Sequence, residues 1–486
     1  MTSIVRWLTL AALFLFCGCA SISSQKQSNQ FTDEFISAVD SAVPNNDKNI
    51  STNMQLDNAI YLQVNPKTPL SDSSKTFLSI DEKISSWEQT TLEKVGRSYS
   101  EFIDYLFGSL VSESPYILKS YEITYLSFNL ALNHALMGRY DLASIEARKI
   151  AQRELAVELF NKKTYESLEE QEKFTADLGD EAHVISKIEL IEDYPIEDFK
   201  SPKVKALKNA YQNASANYLS GFVFESQNDT SLAAPAYLKA LDLNPQSTLF
   251  KKSLDDLNKK NTDDSKGEVL LIIQNDIAPQ LGIKRFRFGV PTKRGWRSVN
   301  IALPIIMDDN SYQSGQSFVD IDGEKVGLEV TTDTDTLLRR YLKDSMPKYL
   351  SMATTKALIQ IASQVTLSMG TKKLRKYDMG ATELIGSIAI EKFISLGQPD
   401  TRTWKTLPRT VQMARVSLTK GQHSLTIGNA SKSNKIMFFV DKNYQIVSVR
   451  NIGNKIYSRT ESRDGALISN YYDSIMKKNV ETSHWW

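Results

Sequence analysis

Apolar positions recur at three-and-four spacing along the first half of the chain and at alternate positions along much of the second. Ile80, Ile84, Trp87, Val95, Tyr99, Phe102 and Leu106 mark one helical stretch. Two more pairs of helical stretches lie at 121–150, split at Gly138-Arg139-Tyr140-Asp141, and at 211–243, split at Asn228-Asp229-Thr230-Ser231. A polar run at 261–266 ends them. Val269 to Ile273 is then an unbroken apolar run of strand length. Phe286, Phe288 and Val290 alternate with Arg285 and Arg287, and Val299, Ile301 and Leu303 form another alternating set. Asp322-Gly323 between two short strand-like runs predicts a hairpin turn. A helical segment over roughly 336–396, broken by basic residues at 372–376, precedes strands at 410–418, 423–427, 435–440 and 445–449.

This pattern predicts a multidomain chain, α followed by α+β, with an N-terminal helical repeat array and a C-terminal β-rich domain carrying helices packed on it. The expected divisions are 76–262 for the helices and 263–486 for the α+β part, the latter split into strands 267–331, helices 332–397 and strands 404–465. Residues 19–75 are rich in Ser, Asn, Asp, Gln and Thr and read as a polar tether with at most one short helix.

The paired stretches have the spacing of the tetratricopeptide (TPR) motif, in which small residues let two helices cross closely and rings fill the wider gaps. In the second pair Gly221 takes the small position, Phe224 the aromatic one, Ala233, Tyr237 and Ala240 the packing face, and Pro245 the stop. In the first, Ala131, Gly138, Tyr140 and Ala143 match, while His134 replaces an aromatic and is expected to be packed. The charged stretch 154–208 between them has room for another helix pair or a projecting hairpin. Such repeats stack into a concave surface. On that geometry Tyr125, Phe128, Tyr218, Phe222 and Glu225 are candidates to face a partner groove, and burial by neighbouring helices is the alternative.

The N-terminus is an address. Arg6 precedes the apolar run Trp7 to Phe16, which is too short to span a bilayer, and Cys17-Gly18-Cys19-Ala20 follows. This resembles a bacterial lipobox, with Phe16 where the pattern usually has Leu. The resemblance implies removal of a signal peptide at 1–18, thioether lipidation and palmitate-type acylation of Cys19, and, from Ala20, a periplasm-facing place on the outer membrane. The two Cys of the 486-residue chain are both here, so the rest holds no disulfide and no thiol nucleophile. Beyond the lipobox, 133–148 (NHALMGRYDLASIEAR), 218–225 (YLSGFVFE), 267–279 (GEVLLIIQNDIAP) and 400–415 (DTRTWKTLPRTVQMAR) resemble an uncharacterised family of bacterial tetratricopeptide-like lipoproteins. That resemblance implies architecture and envelope location. It brings no reaction and no catalytic residues.

No catalytic or metal signature stands out. His134, His183, His423 and His484 are scattered, and neither H-E-x-x-H nor G-x-S-x-G occurs. Asp320-Ile-Asp322-Gly323 lacks the later ligands of a calcium loop, and Asp333-Thr-Asp335-Thr336 reads as a helix cap. Lys+Arg (58) nearly equals Asp+Glu (57), which argues against a polyanion-coating protein and for no nucleic-acid partner. One local patch departs from that balance: Lys284, Arg285, Arg287, Lys293, Arg294 and Arg297, with Phe286, Phe288 and Trp296 among them. Trp404 is expected to anchor the β domain, and Trp485 and Trp486 end the chain. The expectation is a non-enzymatic, cofactor-free, lipid-anchored periplasmic scaffold that binds envelope proteins or peptides through its repeats. The alternative is a glycan- or lipid-binding accessory factor in peptidoglycan or surface-polysaccharide assembly, using the basic patch.

Overall fold

The computed structural model describes residues 30–44, 50–94, 116, 118–176, 188, 191–259, 263–292, 295–307, 317–369, 399–427, 434–453 and 455–460. Helices come first: α1 (30–40), α2 (Thr52–Val64), α3 (Leu70–Lys94), α4 (Ser120–Leu136), α5 (Tyr140–Ala176), the short α6 (Glu197–Lys200) and α7 (Pro202–Ala206), then α8 (Ala214–Ser226), α9 (Thr230–Leu243) and α10 (Thr248–Asp256). Strands follow: β1 (Lys266–Asn275), β2 (Gln280–Thr292), β3 (Gly295–Met307), β4 (Phe318–Ile321), β5 (Glu324–Gly327) and β6 (Glu329–Asp333). After α11 (Thr334–Met369) come β7 (Thr410–Thr419), β8 (Gly421–Ile427), β9 (Asn434–Val440), β10 (Tyr444–Ile452) and β11 (Lys455–Thr460). The chain is thus helical in its N-terminal part and built on mixed sheets in its C-terminal part.

The sheets are β11-β10-β1-β7-β6, the ribbon β2-β3, and β5-β4-β8-β9. β1 lies at the centre of the first, parallel to β10 (Glu268 beside Tyr444) and antiparallel to β7 (Lys266 beside Thr419). Its unbroken apolar run has a physical cause: both faces are covered. Leu270 and Ile272 belong to the core shared with the helices, whereas Val269, Leu271 and Ile273 pack with Val319, Ile321, Leu425, Phe438 and Val440 of the second sheet. The result is three layers: helices, five-stranded sheet, four-stranded sheet.

Two expectations change here. The 19–75 segment is not a plain tether where it is described. Phe35, Val39, Leu56 and Ile60 are buried in the main core, and Asn65 Nδ2 donates to Val39 O at 2.8 Å. A four-residue repeat of apolar side chains gives each short helix one sealed stripe inside a polar composition. Arg459 on β11 then closes the end of α2, donating to the carbonyls of Leu62 (3.1 Å), Gln63 (2.9 Å) and Thr68 (2.8 Å). The division at 262/263 does not separate two cores either, since one cluster runs from Phe35 to Ile452. Within the stretch 154–208, α5 continues to Ala176 and α6 and α7 follow at 197–206, while 177–187 and 189–190 lie outside the described residues. Among the described residues, no helix is long and apolar enough to cross a membrane.

Candidate functional site

The second helix pair is held by the close approach its sequence requires. A Cβ on Gly221 would lie 2.5 Å from the ring of Tyr237, so α8 and α9 touch where the side chain is missing. Ala233, Tyr237 and Ala240 are buried along α9, and Phe224 is buried with the Arg148 guanidinium 5.6 Å from its ring. Asn213 caps α8 through Ala216 N (3.1 Å) and Asp229 caps α9 through Leu232 N (3.2 Å), while Pro245 sits in the link to α10. In the first pair Ala131 and Ala143 are fully buried, Tyr140 is buried, and Gly138 makes the turn at φ 72°. His134 is packed inside, and burial pushes its imidazole down to about 3, so it is neutral.

The five groove candidates come together, but not around an opening. Tyr125, Phe128, Tyr218 and Phe222 have no exposed surface, and Glu225 has 9%. The chain's own second half fills the space. Tyr125 Oη lies 2.6 Å from Thr334 Oγ1, Phe222 meets the Tyr444 ring edge-on at 5.5 Å, and Tyr218 stacks on Phe250 at 4.9 Å. Of the two alternatives, an open groove and burial by neighbouring helices, the structure has burial, with strand residues joining the helices as cover. The five-stranded sheet presents Leu270, Ile272, Val411, Met413 and Ile446 on this side, and they share one core with the buried residues of the helices.

Sequence reasoning missed the polar network in that seam. Arg415 on β7 donates to Glu225 Oε1 (2.7 Å) and Oε2 (2.8 Å) and to Glu268 Oε2 (2.8 Å). Tyr237 Oη (2.6 Å) and Tyr444 Oη (3.1 Å) also donate to Glu225. Arg450 is buried with its ring-side face 5.2 Å from Phe35, and donates to the carbonyls of Asp276 (2.8 Å) and Thr406 (2.9 Å); burial pushes it down to about 9. Asp57 accepts from Thr406 N (3.1 Å) and Oγ1 (3.0 Å), and burial pushes it up to about 7. Glu122 accepts from Lys119 N (2.9 Å), Tyr121 Oη (3.1 Å), Trp404 N (2.9 Å) and Tyr116 Oη. Trp404 itself packs on Phe77 at 5.9 Å, so it anchors the loop before β7 to the helices rather than a separate β domain. The one local signal was charge inside strand-like runs, as with Arg415 and Arg450.

The basic patch is divided by the β2–β3 ribbon. Register pairs Arg287 with Asn300 and Gly289 with Ser298, so Arg285, Arg287, Gly289, Trp296, Ser298 and Asn300 share one face. Arg285 and Arg287 are exposed there, while Phe286 on the other face is buried. Lys284 turns the other way and donates to Asp193 O at 2.6 Å. Arg297 lies on that opposite face too, half-buried. Lys293, Arg294, Cys19, Trp485 and Trp486 lie outside the described residues, as do His183 and His484.

Asp320, Asp322 and Asp333 are committed to turns, to His423 and to a helix cap. Asp322 and Gly323 form the β4–β5 turn with φ 53° and 93°, and Asp320 Oδ1 accepts from Gly323 N at 2.7 Å. Asp322 bonds His423 Nδ1 at 2.6 Å and Ser424 N at 2.8 Å. Asp333 caps α11 through Thr336 N at 3.0 Å. Among the described residues no group of His, Cys, Asp or Glu is placed to hold a metal ion. A shallow cleft of about 400 Å³ beside α10 is lined by Lys251, Lys252, Lys259, Asp255 and Asp256, a mixture of both charges. Compared with protein-family models, with curated proteins and with solved structures, the chain matches none.

Proposed function

We propose that this chain is a lipid-anchored, non-enzymatic accessory protein of the bacterial envelope, tethered through Cys19 and acting by binding an anionic envelope component. Its helical layer descends from tetratricopeptide-type pairs and serves as scaffold for the sheet. The binding surface is the outer face of the β2–β3 ribbon, not the repeat groove. One contrast carries this reading: Tyr125, Phe128, Tyr218 and Phe222 are sealed inside, while Arg285, Arg287 and Trp296 stand in solvent. Purified full-length protein in detergent, mixed with isolated sacculi or lipopolysaccharide and no other protein, should be retained. Retention that is unchanged in Arg285→Glu/Arg287→Glu, or no retention at all, removes the proposal. Labelling with a clickable fatty acid should mark the wild type and leave Cys19→Ser dark.

A protein-scaffold role is the second reading. The observation that favours it is the outer face of the four-stranded sheet, where Met437 (51%) and Phe439 (59%) are exposed on the end strand β9. Crosslinking from position 437 in cells, followed by mass spectrometry, distinguishes the two.

A further inference from the structure

The outer face of the ribbon is arranged as well as exposed. Trp296 is 73% exposed, more than any other large apolar residue among those described. It is nevertheless held in place. A Cβ at Gly289 would meet its Cε3 at 3.0 Å and its Cζ3 at 3.6 Å, so the six-membered ring rests on a position that carries no side chain. The other side of the indole is open to water. Arg287 stands next along the same face and its Nε donates to Ser298 Oγ at 3.2 Å, which sets the plane of the guanidinium close to the strand. Among the described residues no carboxylate lies within salt-bridge distance of Arg285 or Arg287. Asn300, also exposed on this face, has its backbone N–H and C=O fixed by the amide of Gln360 on α11, at 2.9 Å each. The ribbon is thus braced along the free edge of β3 at the level of Arg287.

We infer that this face is a binding site for an acidic saccharide, in which a sugar ring lies on the open side of Trp296 and the ring's acid group takes the guanidinium of Arg287, with Arg285 meeting the next acidic unit. The inference rests on the reading of the ribbon as the binding surface and names its ligand class. Three features select a sugar. A pyranose presents a flat array of C–H groups that an aromatic face accepts, much as it accepts a cation or a ring edge. A guanidinium fork matches a carboxylate or a phosphate with two parallel bonds. The indole is laid against the strand, whereas insertion among lipid headgroups needs a ring projecting beyond the ribbon. Gly289 is the positioning residue: it touches no ligand and sets the height of the indole.

The test uses the purified full chain in detergent and calorimetric titration with tetragalacturonate, glucose 6-phosphate, neutral maltotetraose and phosphatidylglycerol vesicles. Tetragalacturonate or glucose 6-phosphate should bind, and maltotetraose should bind at least about tenfold more weakly. Trp296→Ala should cost about tenfold in affinity, and Arg287→Gln a similar factor with a flatter salt dependence. Gly289→Ala should cost about threefold while leaving the melting temperature within a few degrees, a readout that general misfolding would move. Affinity for both acidic sugars that is unchanged in Trp296→Ala, or equal for maltotetraose, overturns the inference. Binding of vesicles without either sugar, lost in Arg285→Gln/Arg287→Gln, also overturns it while leaving the ribbon as the binding surface. No binding of any probe by a chain that sacculi retain overturns the saccharide site and leaves the parent reading standing.

Discussion

The two faces of the five-stranded sheet are sealed by different chemistry. Toward the second sheet, Val269, Leu271 and Ile273 pack in a cluster of apolar side chains, with the amides of Gln445 and Gln412 at its borders. Toward the helices, Leu270 and Ile272 share the space with Arg415, Glu225, Glu268, Tyr444, Arg450 and Asp57. Apolar burial is non-directional, so the dry seam supplies free energy with little preference for register. Each buried ion or amide in the other seam has one place where its partners are met, and elsewhere it is stranded. The dry seam therefore resists unfolding, and the polar seam fixes how the helical layer sits on the sheet.

Substitutions separate the two. Arg415→Met should have the largest effect, about 3–5 kcal/mol in urea unfolding, because it leaves Glu225 and Glu268 without their cation. Adding Glu225→Gln and Glu268→Gln should recover much of that loss; a triple variant as weak as the single one breaks the comparison. Leu271→Ala in the dry seam should cost about 2–5 kcal/mol and should do so equally at pH 5 and pH 8.

The polar seam and its borders should respond to pH. Burial raises Asp57 and Glu154 from 3.8 and 4.5 to about 7 each. The folded chain then holds protons that the unfolded chain has released, so these two groups lower stability as pH rises from about 4 through 7. Asp57→Asn keeps an acceptor toward Thr406 and should flatten that decline, by on the order of 3 kcal/mol between pH 4 and pH 8. A slope unchanged by the substitution would remove Asp57 from the account. Gly221→Ala should cost about 1–3 kcal/mol, since Tyr237 is fully buried and held by Glu225 and cannot swing aside. The smallest effect should be Glu329→Ala, about 1 kcal/mol by thermal melting, from the loss of its bonds to Leu249 N (2.9 Å) and Ser247 Oγ (2.6 Å) at the start of α10.

What was legible in the sequence was local. The run 269–273 marked a strand, Asp322-Gly323 marked the β4–β5 turn, and the absent side chain of Gly221 marked a close helix crossing, which the structure makes with Tyr237. What was not legible depended on partners far along the chain. Glu225 looked like a groove residue because its cation, Arg415, lies 190 positions away. The helices holding Phe35 and Leu56 were hidden in a polar average, although α2 buries Leu56, Ala59, Ile60, Leu62 and Val64 among its polar residues. The basic patch was visible as composition, but its division between two faces became readable only from the pairing of Arg287 with Asn300.

The clasp of Arg459 on α2 has a consequence for how the molecule is made. Its guanidinium reaches Leu62 O across 397 positions of chain, and β10 joins β1 across less than half that distance, Tyr444 beside Glu268. A polypeptide emerging from its N-terminus completes the early helices long before either closing piece exists. Throughout that interval Phe222 lacks the Tyr444 ring that covers it, and half-finished chains with such apolar surface are adhesive bodies for a holding chaperone to shield or a protease to clear. Maturation waits on the last of these strands to arrive, and a premature stop shortly before them leaves a product that is nearly full length yet lacks both the ring over Phe222 and the clasp on α2.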